Sequence, residues 1–173
     1  MKHLKLFSLF SLVALLGFIL MPATTFAQEE DTEDQSRIVE RLEAIYGRLQ
    51  EVSVRGDERL AQAENVVVKA NELIVMAQEK GYDTTSLEGA VANFETAIAN
   101  ATALKADGDA ILSAHAGFDD NGNVTDIEQA TGTLRSVQDS FKEARQTLRD
   151  SARELRHTFR DFRRDHRGDA NNA

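Results

Sequence analysis

The sequence predicts an all-α protein, an elongated antiparallel three-helix bundle with coiled-coil-like heptad packing. Beyond residue 27 the chain has no proline and no tryptophan, and it is rich in the helix-favouring residues Ala, Glu, Arg and Leu. Apolar residues recur at steps of three and four over three long stretches, which two short linkers separate. Three helices joined by short linkers favour an up-down-up arrangement.

The first 27 residues have the composition of a secretory signal peptide. Two lysines precede a mostly apolar run from Leu6 to Met21, and Thr25-Phe26-Ala27 resembles a cleavage site. A run of this length falls short of the roughly 18 to 20 residues that span a bilayer. We therefore expect cleavage near Ala27, an extracytoplasmic (periplasmic or secreted) location and no transmembrane segment in the mature chain. A retained N-terminal anchor is the alternative.

The remaining residues, 28–173, are enough for one domain with a modest core. The chain has no cysteine, so disulfides, thiol chemistry and a lipid-modified cysteine are excluded, and the fold depends on packing. Residues 28–35 are acidic and lack apolar side chains, which predicts a flexible leader. We expect a helical bundle domain over 36–167 and a flexible polar tail over 168–173.

The first predicted helix covers 36–80. Its apolar stripe slips by one heptad position near Gly56, which would rotate the stripe by about 100° in a straight helix. The stripe residues are Ile38, Leu42, Ile45, Leu49 and Val52 before the slip, and Leu60, Ala63, Val67, Ala70, Ile74 and Ala77 after it. A bent but continuous helix is the favoured interpretation. The alternative is a four-helix bundle in which the first helix folds back at Gly56.

The second and third predicted helices cover 85–115 and 125–167. Capping boxes, Thr85 with Glu88 and Thr125 with Glu128, are expected to begin them. The apolar face of the second helix comprises Leu87, Val91, Phe94, Ile98, Ala101, Leu104, Ile111 and Leu112, and Gly108 is a weak point within it. The third helix places Ile127, Leu134, Phe141, Leu148, Leu155 and Phe162 at intervals of seven residues, a pattern typical of coiled coils.

Unequal helix lengths predict an overhang at each end of the bundle. The middle helix is shorter than its neighbours, so parts of the first and third helices should extend beyond it. These overhangs carry Ile38, Leu42 and Ile45 at one end and Phe159 and Phe162 at the other. Exposed apolar stripes usually meet a partner, so we expect a protein partner or self-association through them.

Arginines dominate the last helix of an otherwise acidic chain. The set that we call the arginine stripe follows three- and four-residue steps and comprises Arg149, Arg153, Arg156, Arg160, Arg163, Arg164 and Arg167. Acidic residues interleave with the arginine stripe, so the favoured interpretation is a solvated, ion-paired helix face. The second interpretation is a surface that contacts an acidic protein partner. Binding of anionic envelope components, either lipid head groups or glycans, is the alternative. The acidic body and the lack of stacking aromatics disfavour nucleic acid.

One linker has partial spacing for calcium. Asp119, Asn121 and Glu128 fall at positions three, five and twelve of a calcium loop, but Gly117 at position one supplies no ligand. A turn followed by a helix cap is therefore favoured, and we expect no metal and no cofactor.

The sequence contains no paired-histidine motif, phosphate loop or nucleophile elbow, so no catalytic residue is assigned. We predict a non-enzymatic protein that acts by protein contact, as a self-associating scaffold, an adaptor or a chaperone-like holdase.

Overall fold

The structure, a computed structural model, describes residues 29–167, with side chains from residue 33 onward. It contains α1 (Glu29–Glu79), α2 (Thr85–Ala114) and α3 (Ile127–Asp165), which confirms the all-α prediction for this range. Both linkers are short, and the longer one contains an isolated bridge between Phe118 and Val124. The expected signal peptide, Gln28 and the expected tail 168–173 lie outside the described residues.

Helix α1 begins earlier than expected and runs without interruption. Residues 29–35, predicted as a flexible leader, are helical. Acidic side chains near a helix N-terminus interact favourably with the helix dipole, and Arg37 adds ion pairs at 3.8 Å to both Glu33 and Asp34. The helix also continues through Gly56, so the four-helix alternative is wrong. One interior glycine costs only about 1 kcal/mol relative to alanine, which is too little to break a long helix that is packed on its neighbours.

The helix starts use aspartates in place of the predicted capping boxes. The Asp83 carboxylate accepts hydrogen bonds from the Thr85 backbone N–H (3.0 Å) and hydroxyl (2.7 Å) at the start of α2. Asp126 caps α3 by accepting from the Gln129 N–H at 2.9 Å. Both predicted boxes are therefore wrong, because Asp83, two residues before Thr85, and Asp126, one residue after Thr125, accept these hydrogen bonds and aspartate is a stronger N-terminal acceptor than threonine.

The core consists of two hydrophobic clusters that all three helices share. The first cluster contains Leu42, Tyr46, Leu49, Leu112, Phe118, Ala130, Leu134, Val137 and Phe141. The second contains Ala70, Ile74, Leu87, Val91, Phe94, Ile98 and Leu155. The first cluster combines the beginning of α1 with the end of α2, and the second combines the end of α1 with the beginning of α2. The helices therefore contact one another along most of their length.

The predicted apolar overhangs are mostly covered. Leu42 is buried in the first cluster, where Tyr46 stacks on Phe118 of the α2–α3 linker with ring centroids 4.4 Å apart. At the other end Phe162 packs against the second cluster and meets the edge of Tyr82, from the α1–α2 linker, at 6.1 Å. The overhang prediction is therefore wrong except at Ile38, which is 45% exposed. It overlooked that each linker carries an aromatic residue able to cover the neighbouring helix end.

Candidate functional site

All seven residues of the arginine stripe are exposed. Three of them pair with aspartates on the same helix. Arg149 and Arg153 lie 3.2 and 3.9 Å from Asp150, and Arg164 lies 3.0 Å from Asp161 and 3.3 Å from Asp165. Exposed ion pairs of this kind contribute about 1 kcal/mol or less to stability, so they hold these three arginine side chains only weakly.

The other four stripe residues have no carboxylate partner within the described part of the chain. Arg156 donates from Nε to its own helix at the carbonyl of Ala152, 3.0 Å away. Arg160, Arg163 and Arg167 lie more than 4.0 Å from every carboxylate that the structure describes. The stripe is therefore ion-paired over part of its length and carries uncompensated positive charge over the rest.

The residues of the calcium candidate build a closed turn. Both carboxylate oxygens of Asp119 accept hydrogen bonds, from the backbone N–H groups of Asn121 (2.9 Å) and Asn123 (2.8 Å) and from the Asn123 side chain (2.8 Å). The bonds from Asn123 and Asn121 hold the pKa of Asp119 below its ordinary value. Glu128 lies in the first turn of α3. Within residues 29–167 no three His, Cys, Asp or Glu side chains group closely enough to hold a metal ion.

Helix α1 carries an exposed apolar surface that the sequence analysis did not single out. Of the nine large apolar side chains that are exposed in the described chain, eight lie on α1. Five of them form what we call the α1 patch: Val66 (45% exposed), Val68 (57%), Leu73 (51%), Val75 (52%) and Met76 (48%). The signal was present in the sequence, because eight of the eleven residues from 66 to 76 are apolar, too many for one buried face.

A buried lysine lies between the two core clusters. The Lys105 ammonium (Nζ) is 2.7 Å from an Asp57 oxygen, 2.6 Å from an Asp109 oxygen and 3.3 Å from the Ser53 hydroxyl. Burial lowers the pKa of Lys105. The hydrogen bonds and charges of Asp109 and Asp57 together raise the pKa by more than burial lowers it, so the pKa lies above its ordinary value. This network joins α1 to α2 beside Gly56.

The sequence analysis missed Lys105, although the heptad pattern of α2 identifies its position. The buried α2 residues follow alternating steps of four and three: Leu87, Val91, Phe94, Ile98, Ala101, Lys105, Gly108 and Leu112. Gly108 lies close to Phe141 of α3, because an added Cβ at position 108 would lie 2.5 Å from the Phe141 ring. Phe141 can therefore reach the core only because position 108 has no side chain.

Next to the lysine network, a groove opens between α1 and α3. We call it the α1–α3 groove; its volume is about 290 Å³, and its apolar lining includes Leu49, Val52 and Leu60 of α1 and Phe141, Ala144 and Leu148 of α3. Lys105 contributes to the lining, as do three further cationic residues, Arg59, Lys142 and Arg145. This is a small apolar recess with convergent positive charge, the combination common in small-molecule sites.

Comparisons with known proteins add no functional assignment. The chain matches no protein-family model, and comparison with curated proteins and with solved structures also finds no match. No helix within residues 29–167 combines the length and the hydropathy that crossing a membrane requires. The functional proposals therefore depend on the chemistry of the residues described above.

Proposed function

We propose that this protein acts by protein contact, without catalysis, and that the α1 patch binds a second copy of the chain. The observation that carries this proposal is the concentration of exposed large apolar residues on one helix. A helix that is apolar on several sides is normally covered on those sides. Here α2 and α3 cover only the side that contains Ala70 and Ile74.

The patch has the arrangement of a helix that packs on two sides. Val66 and Leu73 are seven residues apart and lie in one row along α1, as do Val68 and Val75 in a second row. The two rows lie on either side of a stripe formed by the partly buried Val67 and the buried Ala70 and Ile74. Large apolar side chains exposed on one helix in this way commonly mark an interaction site.

Charge complementarity favours another copy as the partner. Helix α1 carries 13 Asp and Glu against 6 Lys and Arg, whereas α3 carries 7 against 9. The uncompensated arginines of one copy could therefore approach the acidic α1 of another without like-charge repulsion. Opposite surface charges set orientation and association rate more than affinity, so the apolar patch would supply most of the binding energy.

The test is size-exclusion chromatography with light scattering on the purified chain. We expect a dimer or larger species, and we expect the triple variant Leu73→Gln, Val75→Gln, Met76→Gln to be monomeric. The matched control is Ile38→Gln with Val54→Gln, which removes exposed apolar side chains from α1 outside the patch and should leave the mass unchanged. A monomer at protein concentrations up to about 1 mM, where an affinity of about −4 kcal/mol would be visible, would overturn the proposal.

Two finer features belong to the same proposal. We propose that the bundle is antiparallel with heptad packing, which the pairing of opposite ends of α1 and α2 in each core cluster supports.

We also propose an extracytoplasmic location, supported by residues 1–27 alone. Mass spectrometry of the N-terminus after expression in a secreting host would show Gln28 as the first residue; an intact Met1 would contradict cleavage.

A second candidate function is the binding of anionic envelope components by the arginine stripe. The favouring observation is that Arg156, Arg160, Arg163 and Arg167 have no described carboxylate partner. Arginine side chains suit phosphate and carboxylate groups because their donors are planar and paired. Changing Arg153, Arg156, Arg160 and Arg163 to Glu should abolish sedimentation with anionic vesicles while helicity by circular dichroism stays unchanged. Retained binding would exclude the stripe.

A further inference from the structure

We propose that the α1–α3 groove binds a single-chain carboxylate amphiphile of the medium-chain fatty acid type. The groove volume of about 290 Å³ is close to the lower end of small-molecule sites, which are typically about 300 to 1,000 Å³. None of the five α1 patch residues contributes to the groove lining. The proposed ligand is therefore distinct from the partner that would cover the α1 patch.

The groove has a structural origin in α1. Leu49 belongs to the first core cluster and Leu60 packs against the second, but the intervening Gly56 has no side chain. The inward α1 positions between Leu49 and Leu60 are Ser53 and Gly56, so α1 places only small residues on its inward face between the two clusters. The recess therefore belongs to the helix register and does not depend on a mobile loop.

The walls suit an alkyl chain. Leu49, Val52 and Leu60 supply one side, and Phe141, Ala144 and Leu148 supply the other. Leu49 and Leu60 of the lining are 11 residue steps apart on α1, which corresponds to roughly 16 Å at about 1.5 Å per residue. A recess that is long, narrow and apolar favours an unbranched chain over a compact polar metabolite.

The charges near the groove suit a carboxylate head. Arg59, Lys142 and Arg145 are exposed and make no ion pair within 4.0 Å to any carboxylate in the described part of the chain. Lys105 is already bonded to Asp57 and Asp109. The described residues of the groove lining include four cationic side chains and no carboxylate, in a chain whose formal net charge is −9. This local excess of positive charge is the basis for choosing an anionic amphiphile over a neutral or cationic one.

The first experiment is isothermal titration calorimetry of the purified chain with octanoate, decanoate and dodecanoate below their micelle concentrations. We expect saturable binding of one ligand per chain. Each added methylene should tighten the dissociation constant about fourfold, the effect of burying one CH₂ group. Dodecyltrimethylammonium, which has the same chain and a cationic head, should bind at least about tenfold more weakly because the groove cations repel it.

Matched variants locate the binding. Val52→Trp should fill the groove and abolish binding, whereas Val54→Trp, two residues away and outside the lining, should leave it unchanged. Both positions are at least 37% exposed, so neither substitution enters the core. The N-terminal processing is the same in every variant, so differences between variants report the groove and not the apolar segment Leu6 to Met21.

A second pair of variants tests the head group. Lys142→Glu with Arg145→Glu should weaken dodecanoate at least about tenfold, while Arg149→Glu with Arg153→Glu, on the same helix, should change it less than about twofold. Equal binding by Val52→Trp and Val54→Trp, no dependence on chain length, or absence of binding at about 1 mM ligand would overturn the proposal. Association of the α1 patch is measured separately by light scattering, so the two proposals fail independently.

Discussion

Helices α1 and α3 are both long and both carry regular apolar patterns, yet they bury them differently. On α3 the large residues at seven-residue intervals are buried or partly buried except Ile127, which is 36% exposed, and Leu134 and Leu155 are only 3% and 4% exposed. On α1 the predicted stripe is buried at Ala70 and Ile74, but many large apolar residues lie outside it. Periodicity identifies the buried face of a helix; it does not show whether the apolar residues beyond that face have a partner.

The difference arises from the neighbours of each helix. Helix α3 contributes Leu134, Val137 and Phe141 to the first cluster and Leu155 to the second. The inward positions of α1 keep one register through both clusters, with alternating steps of four and three residues: Leu42, Tyr46, Leu49, Ser53, Gly56, Leu60, Ala63, Val67, Ala70, Ile74 and Ala77. The predicted slip near Gly56 is therefore wrong, because Tyr46, Ser53 and Gly56 occupy the inward positions that the prediction gave to Ile45 and Val52. Val52 lies beside this stripe, which accounts for its 37% exposure next to the buried Leu49.

The largest expected effect on stability comes from changing a leucine to alanine at a buried position of α3 and at an exposed position of α1. Leu134→Ala should lower the free energy of unfolding by about 2 to 5 kcal/mol, because it removes a buried side chain and leaves a cavity. Leu73→Ala, at a position 51% exposed, should change it by less than about 0.5 kcal/mol in the monomer. Urea unfolding followed by circular dichroism measures both. Similar losses for the two variants would mean that α1 is covered at Leu73, which contradicts the comparison.

An intermediate effect is expected at Lys105, where an ion pair joins α2 to α1. Lys105→Ala should lower stability by about 1 to 3 kcal/mol, because it leaves Asp57 and Asp109 near each other without their cation. Lys142→Ala, an exposed lysine of α3, is the control and should cost less than about 0.5 kcal/mol.

The Lys105 effect has a defined pH dependence. The pKa of Lys105 is raised in the folded chain, since the hydrogen bonds and charges of Asp109 and Asp57 outweigh the lowering by burial. Its stabilising contribution is therefore fully present below the unfolded pKa of about 10.4 and is lost as the pH rises through the folded value. The stability gap between the wild type and Lys105→Ala should be constant near neutrality and shrink above about pH 10.4. A gap that widens at alkaline pH would be inconsistent with this network.

The smallest expected effect is the difference in stability between alanine substitutions at two glycines of α1. At Gly47 an added Cβ meets no heavy atom within 4 Å, so Gly47→Ala should stabilise the helix by about 0.5 to 1 kcal/mol. At Gly56 the added Cβ would lie 2.8 Å from Lys105 Cε, so the lysine stem must shift. Gly56→Ala should therefore be at least about 0.5 kcal/mol less favourable than Gly47→Ala. Equal gains in thermal unfolding would show that Lys105 does not constrain Gly56.

Local signals in the sequence predicted the helices well and their ends less well. Apolar steps of three and four residues placed all three helices, and Gly81, with φ +78°, ends α1 near the expected position. The capping residues were misassigned because several acceptors compete at each helix start, and only the backbone conformation decides between Asp83 and Thr85 or between Asp126 and Thr125.

The candidate surfaces depended more on tertiary contacts. The exposure of the arginine stripe is a result of helix periodicity, which the sequence contains. The covering of Leu42 by Phe118 and of Phe162 by Tyr82 depends on how each linker folds back, and no periodic pattern encodes that. For this reason the expected apolar ends are largely buried and the exposed apolar residues lie on α1 instead.

The sequence by itself determined that the described chain is helical, where its helices run and which of them is rich in arginine, because these properties come from composition and from neighbours a few residues apart. Only the tertiary structure decided that α1 crosses Gly56 unbroken, that Lys105 bonds to Asp57 and Asp109, and that a groove separates the two core clusters. These features depend on contacts between residues far apart in sequence, and helical periodicity does not specify which side chains will meet.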